Sequence, residues 1–366
     1  MHRPTMETVA ERAGVSRSLV SLVMNHAPNV SDEKRTAVLN AARELGYRPN
    51  LHARNLAQQR TRTLGILVND IQNPFFAEVV AGVEEASAGH DYDVIILNGG
   101  RDRERERRAL ETFLQFQVEA VILIGSRQDP HELARIAQLV PTVVVAASGA
   151  PTVTDTIATD EPAATQLAVD HLVELGHTNI VHIDGGDNVS AMSRRLGFDQ
   201  AMTAHGLQPR TVRGGAHGTD AESAVRALLS GDHQPTAILA FNDLVAAGTV
   251  DALGSAGLTV PHDVSVVSID NTFLAALAHL SLTAVNQPRR RMGQLAFATA
   301  LDRLHERDTI RNHRDDLVPD PPKQLTLTPR LVVRRSSGPP RVTTSGTNQA
   351  PTATDQPPQP PAHQPN

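Results

Sequence analysis

Alternating apolar runs and amphipathic stretches between residues 63 and 269 constrain the fold of this 366-residue chain most strongly. Short continuous apolar runs favour buried parallel strands, and the stretches between them have helical periodicity. The predicted strands are Thr63–Asn69, Asp93–Asn98, Ala120–Ile124 and Thr142–Ala146 in a first series, then Ile180–Asp184, Ala237–Ala240 and Val264–Ile269 in a second. Two such series predict an α/β protein with two doubly wound parallel-sheet subdomains, whose ligands bind beyond the carboxyl ends of the strands.

Ahead of this region, residues 5–25 predict two short helices joined by a tight turn. Thr5 and Ser16 are candidate N-caps, and Gly14 stands where the first helix should end. The polar face of the second helix carries groups that can hydrogen-bond to base edges and phosphates, namely Arg17, Ser18, Ser21 and Asn25. This is a helix-turn-helix pattern, which suits insertion of the second helix into a DNA major groove, although any two-helix corner has a similar pattern.

A third helix is predicted next, with Ser31 as its cap and Gly46 as its end. The residues expected to contact DNA phosphates are the first-turn cations Lys34 and Arg35 and the caps Thr5, Ser16 and Ser31. A short basic segment without an acidic residue then runs from Tyr47 to Thr61. Together these features predict an all-α head that precedes the α/β region.

Charge is unevenly distributed along the chain. Residues 1–62 hold ten Lys and Arg against five Asp and Glu, a net charge of +5, which leaves −11 for the rest because the total is −6. A basic head on an acidic body favours DNA binding, since phosphate neutralisation supplies much of the affinity. Cysteine is absent, and no stretch approaches the roughly 18 apolar residues of a membrane helix, so we expect a cytoplasmic protein without a membrane anchor.

Seven motifs, in a fixed order, resemble those of the LacI/GalR family of ligand-responsive transcription factors. They are VAERAGVSRSLVSLVMN, VSDEKRTAVLNAARELGYRPN, NPFFAEVVAGVEEA, HLVELGHTNIVHIDG, AFNDLVAAG, VPHDVSVVSIDN and SLTAVNQP. The resemblance runs from about Thr5 to Ser336 and implies the periplasmic-binding-protein type I fold. In that fold the chain crosses between two lobes three times, and we expect the crossings near Asp160, near Gln287 and within 310–325.

The domain organisation predicted from these features has four parts. A helix-turn-helix head covers 1–48, a hinge helix or linker covers 49–61, and a two-lobed effector-binding and dimerisation domain covers 62–335. The N-lobe comprises about 62–160 and 288–310, and the C-lobe comprises about 161–287 and 323–335. Residues 336–366 are rich in Ser, Thr, Pro and Gln and are predicted to be a disordered tail.

The resemblance and the strand ends together predict an effector cleft. Its candidate residues are Phe75, Phe76, Ser126, Asp160, Arg194, Asn242 and Asp270. Arg194 stands three residues before Gly197, which is the spacing at which the family places an arginine against the ligand. For each polar candidate a helix cap or structural hydrogen bond is the alternative role, and for the phenylalanines it is core packing. Such groups suit a small polar effector, a sugar or another polar metabolite.

The resemblance also assigns roles on DNA. Leu22 stands where members commonly carry Arg or His, and it can meet only a thymine methyl or a sugar. Residues 49–58 match a segment that folds as paired helices on DNA, with Leu56 in the minor groove and Arg54 near the backbone. A flexible linker with an incidental leucine is the alternative.

An enzyme is disfavoured because the chain lacks the G-x-G-x-x-G, G-K-[ST], H-E-x-x-H and G-x-S-x-G motifs, and neither a cofactor nor a metal is expected. The sequence predicts a homodimeric regulator, with a repressor favoured, that binds a palindromic operator with an affinity set by its effector. The alternatives are an effector-independent regulator, or a solute-binding or sensory module with the same two-lobed fold.

Overall fold

The computed structural model describes residues 4–24, 27–47, 60–147, 153–231, 234–312 and 318–341. Three helices form the head: α1 (Met6–Ala13), α2 (Arg17–Met24) and α3 (Asp32–Leu45). Their apolar faces meet in one small core that contains Val9, Val20 and Val38. This packing explains why each helix is amphipathic, since helices of 8 to 14 residues are marginal without tertiary contacts.

The ends of the head helices largely follow the predicted capping residues. Thr5 and Thr8 form a reciprocal capping box at the start of α1, and Ser16 Oγ accepts a hydrogen bond from Leu19 N at 3.2 Å. Gly14 ends α1 with φ of 65°, a left-handed conformation that glycine adopts without steric cost. Ser31 differs from the prediction, because its side chain makes no capping hydrogen bond and only its carbonyl accepts from Arg35 N.

Two six-stranded sheets form the rest of the structure, and the predicted α/β fold class is confirmed. The strands are β1 (Thr63–Val68), β2 (Asp93–Asn98), β3 (Ala120–Ile124), β4 (Thr142–Val145), β5 (Asp155–Thr159), β6 (Ile180–Ile183), β7 (Thr211–Val212), β8 (Ala237–Ala240), β9 (Ser265–Asp270), β10 (Thr283–Asn286), β11 (Gln324–Leu327) and β12 (Arg330–Val332). The first sheet has the order β11-β5-β4-β3-β1-β2, and the second has the order β12-β10-β9-β8-β6-β7. All described pairings are parallel except that of β12 with β10.

Helices cover both faces of each sheet. They are α4 (Pro74–Ser87), α5 (Arg103–Gln115), α6 (Pro130–Leu139) and α11 (Arg289–Asn312) on the first sheet, and α7 (Glu161–Glu174), α8 (Val189–Ala204), α9 (Gly218–Leu229) and α10 (Asp243–Ser255) on the second. A short 3₁₀ helix, Phe273–Ala276, follows β9. We call each sheet with its helices a lobe.

Helices α4 and α11 approach each other backbone to backbone at two glycines. A Cβ added to Gly82 would lie 2.1 Å from the carbonyl oxygen of Arg290, and one added to Gly293 would lie 2.0 Å from that of Val79. No side chain fits at such distances, so the crossing requires glycine on both helices. Because α4 follows β1 after a short loop, this contact also holds the loop in place. The cleft begins at this loop.

The chain passes between the lobes at three places: after β5, after β10 and after β11. The third differs from the expected position within 310–325. Residues 324–327 belong to the first lobe because Gln324 to Leu327 pair in parallel with Thr156 to Thr159 of β5. The crossing therefore occurs between Leu327 and Arg330, and the second part of the C-lobe starts later than 323.

The C-terminal boundary also differs from the prediction. Ser336 is buried, where its Oγ donates to Val266 O and its carbonyl accepts from Val266 N at 2.7 Å. Gly338 O accepts a hydrogen bond from Ser265 Oγ at 3.0 Å. Residues 336–341 thus pack on the second lobe because their backbone pairs beside β9, and residues 342–366 lie outside the described residues.

Candidate functional site

The exposed face of α2 is the first candidate site. Arg17, Ser18 and Leu22 are exposed, and Leu22 leaves 47% of its surface accessible although it is a large apolar side chain. Ser21 is half-buried. The Arg17 guanidinium lies 3.3 Å from Glu7 across the turn, in an exposed ion pair that solvent weakens. This face can therefore meet a ligand without unfolding the head.

The two phosphate-contact candidates on α3 have different surroundings. The Arg35 Nη2 donates to Ala27 O at 2.6 Å, which ties α3 to the loop after α2. Lys34 is exposed. Arg35 therefore has a structural role within the head, whereas the exposed Lys34 side chain is more accessible to a phosphate. Asn25, Arg54 and Leu56 lie outside the described residues.

The second candidate site is a cavity of about 70 Å³ between the carboxyl ends of the two sheets. The first lobe contributes Asn69, Asp70, Asn73, Phe75, Phe76, Arg101, Gly125, Ser126, Ala146 and Ala147 to its lining. The second lobe and the crossings contribute Glu161, Asn188, Val189, Ser190, Arg194, Ala216, Phe241, Asn242, Asp270 and Gln287. Side chains from many strand ends therefore converge, as parallel α/β sheets require.

A buried ion-pair cluster forms the second-lobe wall of this cavity. Glu161 receives two hydrogen bonds from Arg194, at 2.7 Å from Nε and 3.2 Å from Nη2. The Nη2 also lies 3.6 Å from Asp270 Oδ1, and the guanidinium lies 4.6 Å from the centroid of the Phe241 ring. Nη1 donates to Phe241 O. Burial opposes ionisation of Arg194, but the neighbouring Glu161 and Asp270 more than compensate and raise its pKa.

Asp270 has a strongly raised pKa in the cavity. Burial raises its pKa to about 7, while Arg194 lowers it and Asp243 raises it. Its Oδ1 accepts from Gln287 Nε2 at 2.6 Å, and Arg289 donates to its carbonyl. The residue adopts φ of 124°, a conformation that side-chain-bearing residues rarely occupy and that persists only where the surroundings enforce it. Strain of this kind is common at ligand sites.

The other candidates in the cavity are already partly engaged. Phe75 is buried in the first-lobe core and Phe76 is half-buried, with ring centroids 5.4 Å apart in an edge-to-face arrangement. Ser126 Oγ donates to Glu106 at 2.9 Å. Asn242 caps α10 through Val245 N at 2.9 Å and donates to Ala216 O at 3.1 Å. Core packing, helix capping and structural hydrogen bonds, the alternative roles for these residues, are therefore all present in the structure.

Asp160 does not line the cavity, in contrast to the expectation. Its carboxylate accepts from Ala163 N at 3.0 Å and caps α7. The next residue, Glu161, occupies the lining instead, and sequence reasoning missed it. Asp160 and Glu161 are both acidic and both lie at the first crossing, so the signal in the sequence is the same for each. The first turn of α7 decides which of them caps the helix and which faces the cavity.

Polar contacts join the lobes across the cavity mouth. Arg127 Nη2 of the first lobe donates to Asp187 O of the second at 2.6 Å, and Ser190 Oγ donates to Ala146 O at 3.2 Å. His217 Nε2 lies 3.4 Å from Asp70 Oδ2. These contacts join the two walls of the cleft, and all of them would break if the lobes separated.

Two polar groups of the first lobe enter the cavity without a partner among the described residues. Asn69 Oδ1 is buried and accepts no hydrogen bond, and the Arg101 side chain makes neither a hydrogen bond nor an ion pair. The two residues are adjacent, since Arg101 N donates to Asn69 O at 2.9 Å. A buried acceptor without a hydrogen bond and a guanidinium without a direct partner, on neighbouring backbone segments of one cavity lining, suit the binding of a polar ligand.

No group of residues suited to a metal ion is found in the part of the chain that the structure describes. Within the same residues, every helix is too short or too polar to span a lipid bilayer.

Comparisons with known proteins agree with this arrangement. Residues 5–50 match the family model for bacterial regulatory proteins of the lacI family, and residues 169–337 match a periplasmic binding protein-like domain. The chain is 34% identical to the ribose operon repressor of Escherichia coli K12, over 91% of this chain and 99% of that one. It is 33% identical to catabolite control protein A of Priestia megaterium, over 80% of this chain and 90% of that one.

A solved structure shows the same similarity in three dimensions. The lac repressor dimer bound to operator and the anti-inducer ONPF superposes with a TM-score of 0.78 at 27% identity, covering 92% of this chain and all of that one. Head and two-lobed body therefore share the architecture of that repressor.

Proposed function

Since this chain belongs to the lacI family of bacterial regulatory proteins, we propose that it is a homodimeric repressor whose affinity for a palindromic operator is set by a small polar effector in the interlobe cavity. Its relatives include the ribose operon repressor, so the chain is a DNA-binding regulator and not an enzyme. The observation that carries the effector part is the cavity, with Asn69 and Arg101 unpartnered in its wall.

On DNA, α2 lies in the major groove. Its exposed Arg17 and Ser18 contact base edges, and Leu22 contacts a thymine methyl or a sugar. Lys34 contacts a phosphate, as do the caps Thr5 and Ser16 at helix starts. One head reads one half-site, so two copies related by two-fold symmetry read a palindrome. The similar lac repressor is described as a dimer bound to operator, which supports this assembly.

The effector acts through the angle between the lobes. The contacts of Arg127 with Asp187 and of Ser190 with Ala146 cross the cavity mouth, so a ligand between the lobes changes how favourable closure is. Residues 49–61 join the body to the head and respond to that angle. In this proposal Leu56 of that segment enters the minor groove at the operator centre.

The experiment has two steps on the full chain. Selection from random DNA gives the preferred operator, and a titration of that operator is repeated with a panel of sugars and other polar metabolites. A change in operator affinity with one compound, lost in Arg194→Ala while operator binding persists, supports the proposal. An affinity that no compound alters favours the second candidate, an effector-independent regulator whose cavity is structural.

A further inference from the structure

The arginine that the sequence assigns to the effector is already neutralised. Arg194 directs Nε and Nη2 to Glu161, faces Asp270 with Nη2, and donates from Nη1 to Phe241 O. An anionic ligand at this wall would face two buried acidic side chains and would have to displace existing bonds. The wall suits hydroxyl or amide groups, which can donate to Glu161 and accept from Arg194.

Arg101 on the opposite wall has the reverse character. It lines the cavity, and its guanidinium makes no hydrogen bond or ion pair within the described residues. Burial and the neighbouring Arg127 lower the pKa of Arg101, yet a guanidinium stays protonated at neutral pH. A half-buried cation without a direct ion pair is costly, and a bound anion would reduce that cost.

The acidic residues next to Arg101 are all committed elsewhere. Asp102 caps α5 through Arg105 N at 2.6 Å, and Glu104 pairs with Arg107 at 2.6 Å. Glu106 is buried, where it accepts from Ser126 Oγ at 2.9 Å. The charged run RDRERERR therefore leaves Arg101 unneutralised although it contains as many as three acidic side chains within five residues.

Asp70 and Asp220 lie near enough to raise the pKa of Arg101, but neither forms an ion pair with it. Asp70 lies 3.4 Å from His217 Nε2, and Asp220 accepts from His217 N at 3.1 Å. A second pocket, which shares Asn188 and Val189 with the cavity, is lined by Arg103, Arg127 and Arg195 together with Asp187, and Arg127 donates to a carbonyl there rather than to a carboxylate. Asp70, Glu161 and Asp270 also line the cavity, so its positive charge is local to Arg101.

We propose that Arg101 is the anion-binding residue of the effector cleft, and that the effector carries a carboxylate or phosphate group at one end and hydroxyl or amide groups at the other. The anionic end binds Arg101 at the first-lobe wall, beside the unpartnered acceptor Asn69 Oδ1, which receives a hydroxyl or N–H of the ligand. The uncharged polar end meets Arg194 and Glu161. This inference rests on the proposed effector function of the cavity.

The test uses thermal unfolding of the full chain in sodium phosphate, sodium acetate and sodium chloride at equal ionic strength. Phosphate, acetate or both should raise the unfolding midpoint of the wild type by about 2–4 °C relative to chloride. A shift in phosphate alone identifies a phosphate group, and a shift in acetate identifies a carboxylate. Arg101→Gln should abolish the shift, whereas Arg108→Gln, in the same charged run but outside the cavity lining, should retain it.

The inference is overturned if neither anion stabilises the wild type more than chloride does, or if Arg101→Gln keeps the full shift. This failure differs from failure of the proposed function. An uncharged metabolite that alters operator affinity would leave the proposed function intact and refute the anionic class, because it would show that the cavity works without a ligand for Arg101.

Discussion

Glu161 and Arg194 are joined by two hydrogen bonds in the interior of the cleft, and less than a tenth of either side chain is exposed. The pair connects α7, which begins directly after the first crossing, to α8 of the second lobe. Since Glu161 belongs to the first turn after the crossing, its position depends on how the chain enters the second lobe. The pair thus links a cavity residue to the backbone segment about which the lobes can turn.

Glu161→Gln should lower the free energy of unfolding by about 3–5 kcal/mol, because it leaves the buried Arg194 guanidinium without its main counterion. Urea unfolding of the full chain measures the loss. The matched control is Glu222→Gln, which breaks an exposed pair with Arg226 four residues along one helix and should cost less than about 0.5 kcal/mol. Equal losses in the two variants would contradict this account of the cluster.

Gly293→Ala should destabilise the first lobe by about 1–3 kcal/mol or more, since the new methyl group meets the backbone of α4. Gly254→Ala is the control, because it is also within a helix but has no atom within 4 Å of the added Cβ. That change should stabilise the protein by about 0.5–1 kcal/mol through helix propensity. Thermal unfolding of both variants checks the prediction, and a neutral Gly293→Ala would exclude the close crossing.

Asp270 should make the stability of the protein depend on pH. Its pKa is raised from 3.8 to about 7 on folding, so the folded chain binds this proton more tightly than the unfolded chain. The resulting stabilisation is complete below the unfolded pKa and is lost as pH rises through about 7.

The check is to compare wild type with Asp270→Asn, which cannot ionise but keeps an oxygen for Gln287. Relative to this variant, the wild type should lose stability as pH rises from the unfolded pKa of 3.8 to the folded pKa of about 7, and then change no further. His182, whose pKa burial lowers to about 4, is present in both proteins and cancels in the difference. Parallel pH profiles would refute the raised pKa.

Arg17→Ala should weaken operator binding by about 1–3 kcal/mol and relax the preference at one base position, because the exposed guanidinium is proposed to contact a base edge. Lys34→Ala should weaken binding to all sequences alike and reduce the salt dependence, since a phosphate contact carries no sequence information. Binding of a set of single-base operator variants, measured at two salt concentrations, distinguishes the two effects. An unchanged base preference in Arg17→Ala would place recognition elsewhere.

Hydrophobic periodicity was sufficient for seven of the twelve strands that the structure describes. Each of the seven predicted strands is present, with ends that differ by at most one residue. β10 and β12 escaped prediction because a short strand such as Thr283–Asn286 has too few apolar residues to show a pattern. β11 escaped because exposed and half-buried residues alternate along Gln324–Leu327, so its place in the first sheet depends on pairing with β5.

The cavity residues show a similar limit. Six of the seven predicted effector candidates line the cavity, because they lie at strand ends or on the helices that follow them, and the strand ends of a parallel sheet meet. The position of a polar residue in the sequence does not show whether its side chain already has a hydrogen-bond partner within the protein. Arg194 is engaged by a residue 33 positions away, whereas Arg101 lies in a charged run that is most simply interpreted as a solvated helix start. Which side chains form ion pairs depends on the tertiary structure.

Residues 336–341, which pack on the second lobe after β12, determine where a fusion partner can be attached to this protein. Because Ser336 and Gly338 complete hydrogen bonds of the second lobe, a reporter or affinity tag joined before Ser336 would remove part of that lobe. One joined after Arg341 would leave it whole, since Arg341 contacts the lobe through Asp263 at 2.9 Å on the surface. A fusion at that point therefore offers a way to label the regulator without removing any hydrogen bond of the second lobe.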